Sequence, residues 1–422
     1  MLVAEVAVVG AGPAGAATAI ELARAGRDVV LVDKARFPRD KCCGDGLTVA
    51  ALRELERLGL RPEAVPGWQP VRDVYLRSPS GRVVELRLPD RGLYAAVAPR
   101  AALDAAILDL ARAAGAKVLD GHALGGAAPA PDGTGIRLDV AGLGDPNAGA
   151  SLGAVSARYV VGADGAWSPL RKALGAHEPG YLGDWHAFRQ YFSGCGPEAA
   201  HLWVWFEPDL LPGYLWSFPL PGGRANVGFG LERNQHFDAH RMGELWPELL
   251  QRPHVRAVLG DAAKPDGPHR AWPIPARVRE VALTAAGGRA LFVGDAARAT
   301  DPLTGEGIAQ ALLTGRRAAE AILAAGPERA DFAGRRYEAA VRRDLFADAW
   351  LGELLSRGLR HRKGARLSIR AAGLTPWTRR NFARWLFEDY PRAALGTPRR
   401  WSRRMFNAPG AYAAVGANGA AP

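Results

Sequence analysis

The chain is poor in residues that staple or ligate. Only three of its 422 residues are cysteine (Cys42, Cys43 and Cys195), and none form a CxxC pair. A disulfide framework and a zinc site are therefore not expected, and a reducing, cytoplasmic setting is. No apolar run reaches membrane-spanning length, and the opening MLVAEVAVVGAGPAG has neither a basic leader nor a small-residue cleavage site. A spanning helix and an export signal are excluded on this reading. Negative charge is scarce near the C-terminus: residues 351–404 hold 14 Lys or Arg against 3 Asp or Glu, which accounts for the whole net charge of +11. Apolar content is ample, at 48%, enough to fill two or three cores.

Glycine is plentiful, and its placement carries the first functional signal. EVAVVGAGPAGAATAIELARAGRDVVLVDKA reads as strand, glycine turn, helix, strand. Gly10 makes the tight turn, Gly12 admits a pyrophosphate to the backbone, and Gly15 lets helix and strand pack closely. The helix N-terminus, at Ala14, faces the phosphate. Asp33, followed by Lys34, ends the second strand where it can accept hydrogen bonds from an adenosine ribose. This motif alone does not choose between NAD and FAD.

Two later segments do. ARYVVGADGAWSPLRKALG ends a buried strand at Gly162 to Gly165, with Ser168 and Arg171 at a helix start. GRALFVGDAARATDPLTGEGIAQALLTG places Asp295 at a strand end, then Pro302, then Gly305, Gly307 and Ile308 opening a long helix. Asp295 is placed to bond a ribityl hydroxyl. The helix start presents backbone N–H groups where a flavin pyrimidine edge gains negative charge on reduction. In order and spacing the three segments resemble the FAD-dependent oxidoreductases of the p-hydroxybenzoate hydroxylase type, from about residue 3 to about residue 325. The resemblance implies that Arg100, in VAPRAALDAAIL, sits beside the FAD phosphates and flavin; the plain alternative is a solvated surface arginine.

The stretch DKCCGDGLT, residues 40–48, follows the second strand, where that fold passes the isoalloxazine ring. Together with LLPGYLWSFPLPGGRANVGFG, which carries Tyr214, Trp216, Phe218 and Pro219, it resembles the geranylgeranyl reductase family, most closely its actinobacterial menaquinone reductases. The match falls on Cys43, with Cys42 as an extra thiol. Gly44 and Gly46 would let the backbone approach the flavin. Tyr214, Trp216 and Phe218 alternate along a strand and so share one face, an aromatic wall suited to an extended hydrocarbon. Two readings of Cys43 stand open: a catalytic thiol, or a small buried packing residue.

The function implied is reduction of an isoprenoid C=C bond, in a menaquinone side chain or a geranylgeranyl lipid, by reduced flavin plus a proton. The alternative is a flavin monooxygenase of secondary metabolism, an aromatic hydroxylase or halogenase-like enzyme. The W-x-W-x-I-P signature of halogenases is missing. No second GxGxxG is visible, so NAD(P)H or another external electron donor would act transiently.

The fold expected is α/β with an α+β insertion. A Rossmann-like FAD-binding domain takes residues 1–67, 91–184 and 276–330, with a β-meander and loose loop over 121–156. A β-sheet substrate domain takes 68–90 and 185–275, a C-terminal helical basic segment 331–407, and a disordered tail 408–422. In that basic segment Phe382, Trp385, Leu386 and Asp389 share a helical face. It reads either as a peripheral contact with anionic membrane through residues 351–404, or as a helix packed over the FAD domain with a solvated arginine face. No nucleic-acid module is recognisable, and no metal is expected.

Overall fold

The computed structural model describes residues 1–143, 152–233, 239–401 and 408–413. Its first sheet has Leu2–Val9 near the centre, in parallel register with Val29–Asp33 on one side and Leu152–Gly162 on the other. Lys117–Asp120 and Ala290–Phe292 extend it, also in parallel. Val6, Ala7 and Val8 are fully buried, as expected of a strand covered on both faces. An antiparallel meander, His122–Pro129 and Ile136–Gly142, joins at Leu152–Gly162. The loose loop expected within 121–156 falls mainly on 144–151, outside the described residues.

Helix α1 (Pro13–Arg24) starts directly after the glycine turn, with proline in its first turn. Helices α2 (Val49–Arg57), α3 (Arg100–Ala113) and α4 (Pro169–Ala173) follow. Thr48 caps α2 through its hydroxyl, which accepts from the Ala51 N–H. A small sheet of Gly46–Thr48, Ala95–Val97 and Gln69–Val71 joins the cysteine loop to the next layer.

The second large sheet is almost wholly antiparallel. It runs Trp185–Ser193, Arg224–Glu232, Tyr214–Leu220, Leu202–Trp205, Asp73–Arg77 and Val83–Arg87, with Arg270–Ile274 paired beside Trp185–Ser193. One face packs on α5 (Ala239–Leu250) and α6 (Pro253–Leu259) through Trp205, Phe229, Met242 and Leu249.

The C-terminal third is helical: α7 (Ile308–Ala325), α8 (Ala330–Leu359), α9 (Arg362–Ala372) and α10 (Pro376–Leu386). α7 lies on α1 at small residues. A Cβ on Gly315 would stand 2.3 Å from the Ala14 carbonyl oxygen, and Thr18 donates to the Gly315 carbonyl at 3.1 Å. α9 and α10 do not cover the FAD-binding sheet. Ile369, Ala383 and Phe387 pack instead against Val84 and Leu86 at the edge of the second sheet, because strand Val83–Arg87 offers an apolar face there.

The tail expected to be disordered over 408–422 departs from that reading at its start. Ala411 exchanges two backbone hydrogen bonds with Leu93, at 2.7 and 2.9 Å. The buried Tyr412 hydroxyl donates to the Leu60 carbonyl at 3.1 Å, and its ring stands edge-on to Trp68. Gly410 permits this, since a Cβ there would meet the Leu93 carbonyl at 2.4 Å. Residues 414–422 lie outside the described residues.

Candidate active site

One large cavity, about 1280 Å³, runs from the first glycine loop to the C-terminal helices. Sites for a single small ligand hold roughly 300–1,000 Å³, so this one has room for a dinucleotide and a second molecule.

At one end the backbone itself is the binding surface. Gly10 has φ +101°, and a Cβ there would lie 2.2 Å from the Ala163 carbonyl oxygen; one on Gly15 would lie 1.8 Å from the Gly10 oxygen. Before Gly12 the space is open except for the Arg39 guanidinium at 3.5 Å, a cradle a pyrophosphate would fill beside a cation and a helix start. Asp33 steadies the cradle by accepting the Ala11 N–H at 2.7 Å and the Ala35 N–H at 2.8 Å. Ala14, Lys34, Asp295, Pro302, Gly305, Gly307 and Ile308 line the same cavity. Gly305 has φ +70°, and at the start of α7 the N-cap Gly307 offers no side chain while the Glu306 carboxyl accepts the Ala309 N–H at 2.8 Å. These residues fit FAD. Asp164, Ser168 and Arg171 do something different: they bracket the segment from inside. Ser168 donates to Asp164 at 2.6 Å, and buried Arg171 donates to the carbonyls of Ala282 and Ala176.

Arg100 is not a solvated arginine. It is buried and holds Asp104 through two bonds of 2.8 Å, with its guanidinium also against the Cys43 thiol. Arg39 joins Asp104 at 3.0 Å. Burial holds the Cys43 thiol above the usual range despite Arg100, so it is the protonated thiol that faces the cavity at neutral pH. Cys42 is pushed up to about 12, again by burial, and donates to the Arg270 carbonyl at 3.3 Å.

The cysteine loop is pinned from the second sheet. Asn226, fully buried, gives one amide hydrogen to the Cys43 carbonyl at 2.9 Å and the other to Asp45 at 2.8 Å, while its oxygen accepts from the Trp216 indole at 3.1 Å. One side chain thereby fixes the thiol loop and the aromatic wall together. Asp45 has φ +65°, also accepts from the Tyr191 hydroxyl at 2.6 Å, and is pushed up to about 6 by burial. Arg189 adds a 2.5 Å bond to Asp40.

Tyr214, Trp216 and Phe218 all line the cavity, with ring centroids about 5.9 Å apart along the strand. Phe218 packs on the two glycines of the cysteine loop. A Cβ on Gly44 or Gly46 would lie 3.1 or 3.0 Å from the Phe218 ring, so the aromatic wall rests directly on this bare backbone, and both glycines also line the cavity. Beyond the wall the lining passes to Leu355, Ile369, Phe382, Trp385 and Leu386.

The family model for the FAD binding domain matches residues 3–331. The chain is 36% identical over 346 residues to a menaquinone reductase of Mycolicibacterium smegmatis, spanning 76% of this chain and 77% of that one. It is 31% identical to digeranylgeranylglycerophospholipid reductase 1 of Methanopyrus kandleri, over 76% and 80%. It belongs to this family of FAD-dependent oxidoreductases. The fold also matches a geranylgeranyl bacteriochlorophyll reductase-like structure from Thermoplasma acidophilum, with TM-score 0.76 at 20% identity, covering 95% of this chain and 100% of that one.

Within this family frame the structure adds residues that the motifs did not point to. Lys41 lies 3.6 Å over the Trp272 ring and is lowered to about 8 by burial, with Asp295 opposing. Arg39 and Lys41 stand in FPRDKC, where a basic pair beside a phosphate loop was a readable hint. Asn226 and Asp45 carried none, because their pairing spans 181 positions, and Glu306 carried none because the Glu388 charge it faces comes from the far C-terminal segment. Among the described residues no three His, Cys, Asp or Glu group as a metal site, and no helix is long and apolar enough to cross a membrane.

Proposed function

We propose that this oxidoreductase saturates an isoprenoid C=C bond of a lipophilic substrate, a menaquinone side chain or a geranylgeranyl lipid. The observation that carries the reading is the continuity of the cavity: from the dinucleotide cradle it passes Cys43 and the Tyr214–Trp216–Phe218 wall and continues along apolar side chains of α8, α9 and α10, Leu355, Ile369, Phe382 and Trp385 among them. Bound FAD supplies hydride chemistry, drawing electrons from NAD(P)H or another external donor. The chain's part is to hold an unactivated alkene, exclude water and provide a proton. Trp216, fixed by Asn226, and Phe218 do the holding. The Cys43 thiol, kept protonated by burial, is a proton donor at the edge of the wall.

The test is anaerobic. The bound flavin is reduced with dithionite, a polyprenyl quinone or geranylgeranyl lipid is added, and flavin reoxidation is followed with mass analysis of the product. A gain of two hydrogens is expected. Reoxidation that waits for oxygen, with a hydroxylated product, would instead identify a monooxygenase.

The same reading places the cavity mouth against anionic lipid. Leu367, Leu374 and Trp377 are 68%, 63% and 72% exposed, amid exposed Arg362, Lys363, Arg366, Arg370, Arg379 and Arg380. Trp377 and Ser368 also line the cavity. Each basic residue near such a surface contributes about 1 kcal/mol. Sedimentation with anionic but not neutral liposomes is expected, weakened by Trp377→Ala; equal binding to both would remove the electrostatic part of the idea.

A further inference from the structure

Two buried carboxyl groups, a third mostly buried and one buried guanidinium meet where α7 begins. Arg392 pairs with Asp301, lies 3.3 Å from Glu388, and donates to the Thr304 hydroxyl at 3.2 Å. Glu388 also accepts from Thr48 at 3.0 Å and from Gln310 at 2.9 Å. Among the described residues no cation is paired with Glu306, although the charge of Arg392 also bears on it. Its carboxyl accepts the Ala309 N–H at 2.8 Å, and the residue borders the cavity between Gly305 and Gly307. The other groups facing this cluster are the Tyr214 phenol, whose hydroxyl donates to the Thr304 carbonyl, and Asp348 of α8, which faces Arg392.

One arginine cannot neutralise three carboxylates, and unpaired charge buried this deeply is costly. We infer that Glu306 holds a proton in the resting enzyme, kept there by Glu388 across the arginine, and that this proton is linked to the redox state of the FAD beside the start of α7. Burial first, and the neighbouring Glu388 second, raise Glu306 above the ordinary carboxyl range, in agreement with the geometry. While Glu306 is neutral, it accepts the Ala309 N–H without adding a charge, and the start of α7 favours the negative charge that reduction brings. Once it is ionised, the same position opposes that charge. Below its titration the flavin takes two electrons and one proton to reach its anionic reduced form. Above it, reduction takes up a second proton, which restores the Glu306 carboxylic acid. The inference rests on FAD binding and is independent of which substrate is reduced.

The midpoint potential of the bound flavin, measured against pH in the full-length holoenzyme without substrate, tests this. The wild-type potential should fall more steeply on the alkaline side, by about a further 30 mV per pH unit, the two-electron equivalent of one more proton. Glu306→Gln, which keeps an oxygen for the Ala309 N–H, should abolish the steeper limb. It should also remove a protonated-carboxyl C=O band from the infrared difference spectrum between oxidised and reduced enzyme. Glu388→Gln, which lifts the repulsion, should move the break to lower pH. Identical curves for wild type and Glu306→Gln would overturn the assignment. If Glu306→Gln fails to retain flavin, an unmoved break in Glu388→Gln would do the same.

Discussion

The two ends of the cavity are made of different material. The cradle end is mostly backbone: Gly10 and Gly15 meet main-chain atoms within one βαβ unit and its neighbour strand, while Gly12 opens toward the Arg39 guanidinium. The far end is side chain, assembled from the cysteine loop, the wall strand, Asn226 on the next strand and three C-terminal helices. A backbone site tolerates no added atom, whereas a side-chain site is adjustable in volume. The end that fits a dinucleotide is therefore a surface that small changes cannot retune, and the far end is one that they can.

The sharpest way to break this contrast is at the cradle. Gly10→Ala combines a left-handed φ with a 2.2 Å approach to the Ala163 carbonyl, costing about 3 kcal/mol or more. The purified variant should have lost its flavin absorbance, and full retention of FAD would contradict the cradle as described. At the far end, Gly46→Ala pushes against the Phe218 ring and should cost about 1–3 kcal/mol. Phe218→Leu in the same chain should recover much of that, with coupling of about 0.5–3 kcal/mol in a denaturant double-mutant cycle. Strict additivity would mean that the glycine serves something other than the wall.

The smallest effect concerns the join between the two ends. Asp45 is raised from 3.8 to about 6 in the fold, so the folded state binds its proton more tightly than the unfolded chain does. Its contribution therefore favours folding at low pH. It is lost as pH rises from about 4 to about 6, by about 3 kcal/mol at most, and stays lost above that. Urea midpoints should accordingly decline less from about pH 4 to about pH 7 in Asp45→Asn than in wild type. Parallel declines would show that Asp45 does not ionise in this window.

What could be read early follows the same division. The glycine turn, Asp33, Asp295 and the Gly305–Ile308 helix start were legible because their geometry is local: a turn, a strand end and a helix start are each specified within a few residues. Alternation alone gave Tyr214, Trp216 and Phe218 a common face, and the resemblance was needed to read that face as a substrate wall rather than core. Arg100 is buried at the cavity rather than solvated, and neither its partner Asp104 nor its contact with Cys43 could be read from the motif. That Gly44 and Gly46 also lie against Phe218 could not be read, since that ring is more than 170 positions away. The C-terminal helices were read as helical and basic, yet not as the wall of the cavity, because an amphipathic face does not name the surface it covers.

The sequence by itself determined that a dinucleotide cradle forms, that a face of aromatic side chains exists, and that a basic helical segment ends the chain, since each depends on short-range periodicity and on glycine's freedom. Only the tertiary structure decided that Asn226 joins Cys43 to Trp216, that α9 and α10 close over the second sheet, and that Glu306, Glu388 and Arg392 are buried together. Those arrangements depend on which remote surfaces exclude water from one another, a property of the packed whole.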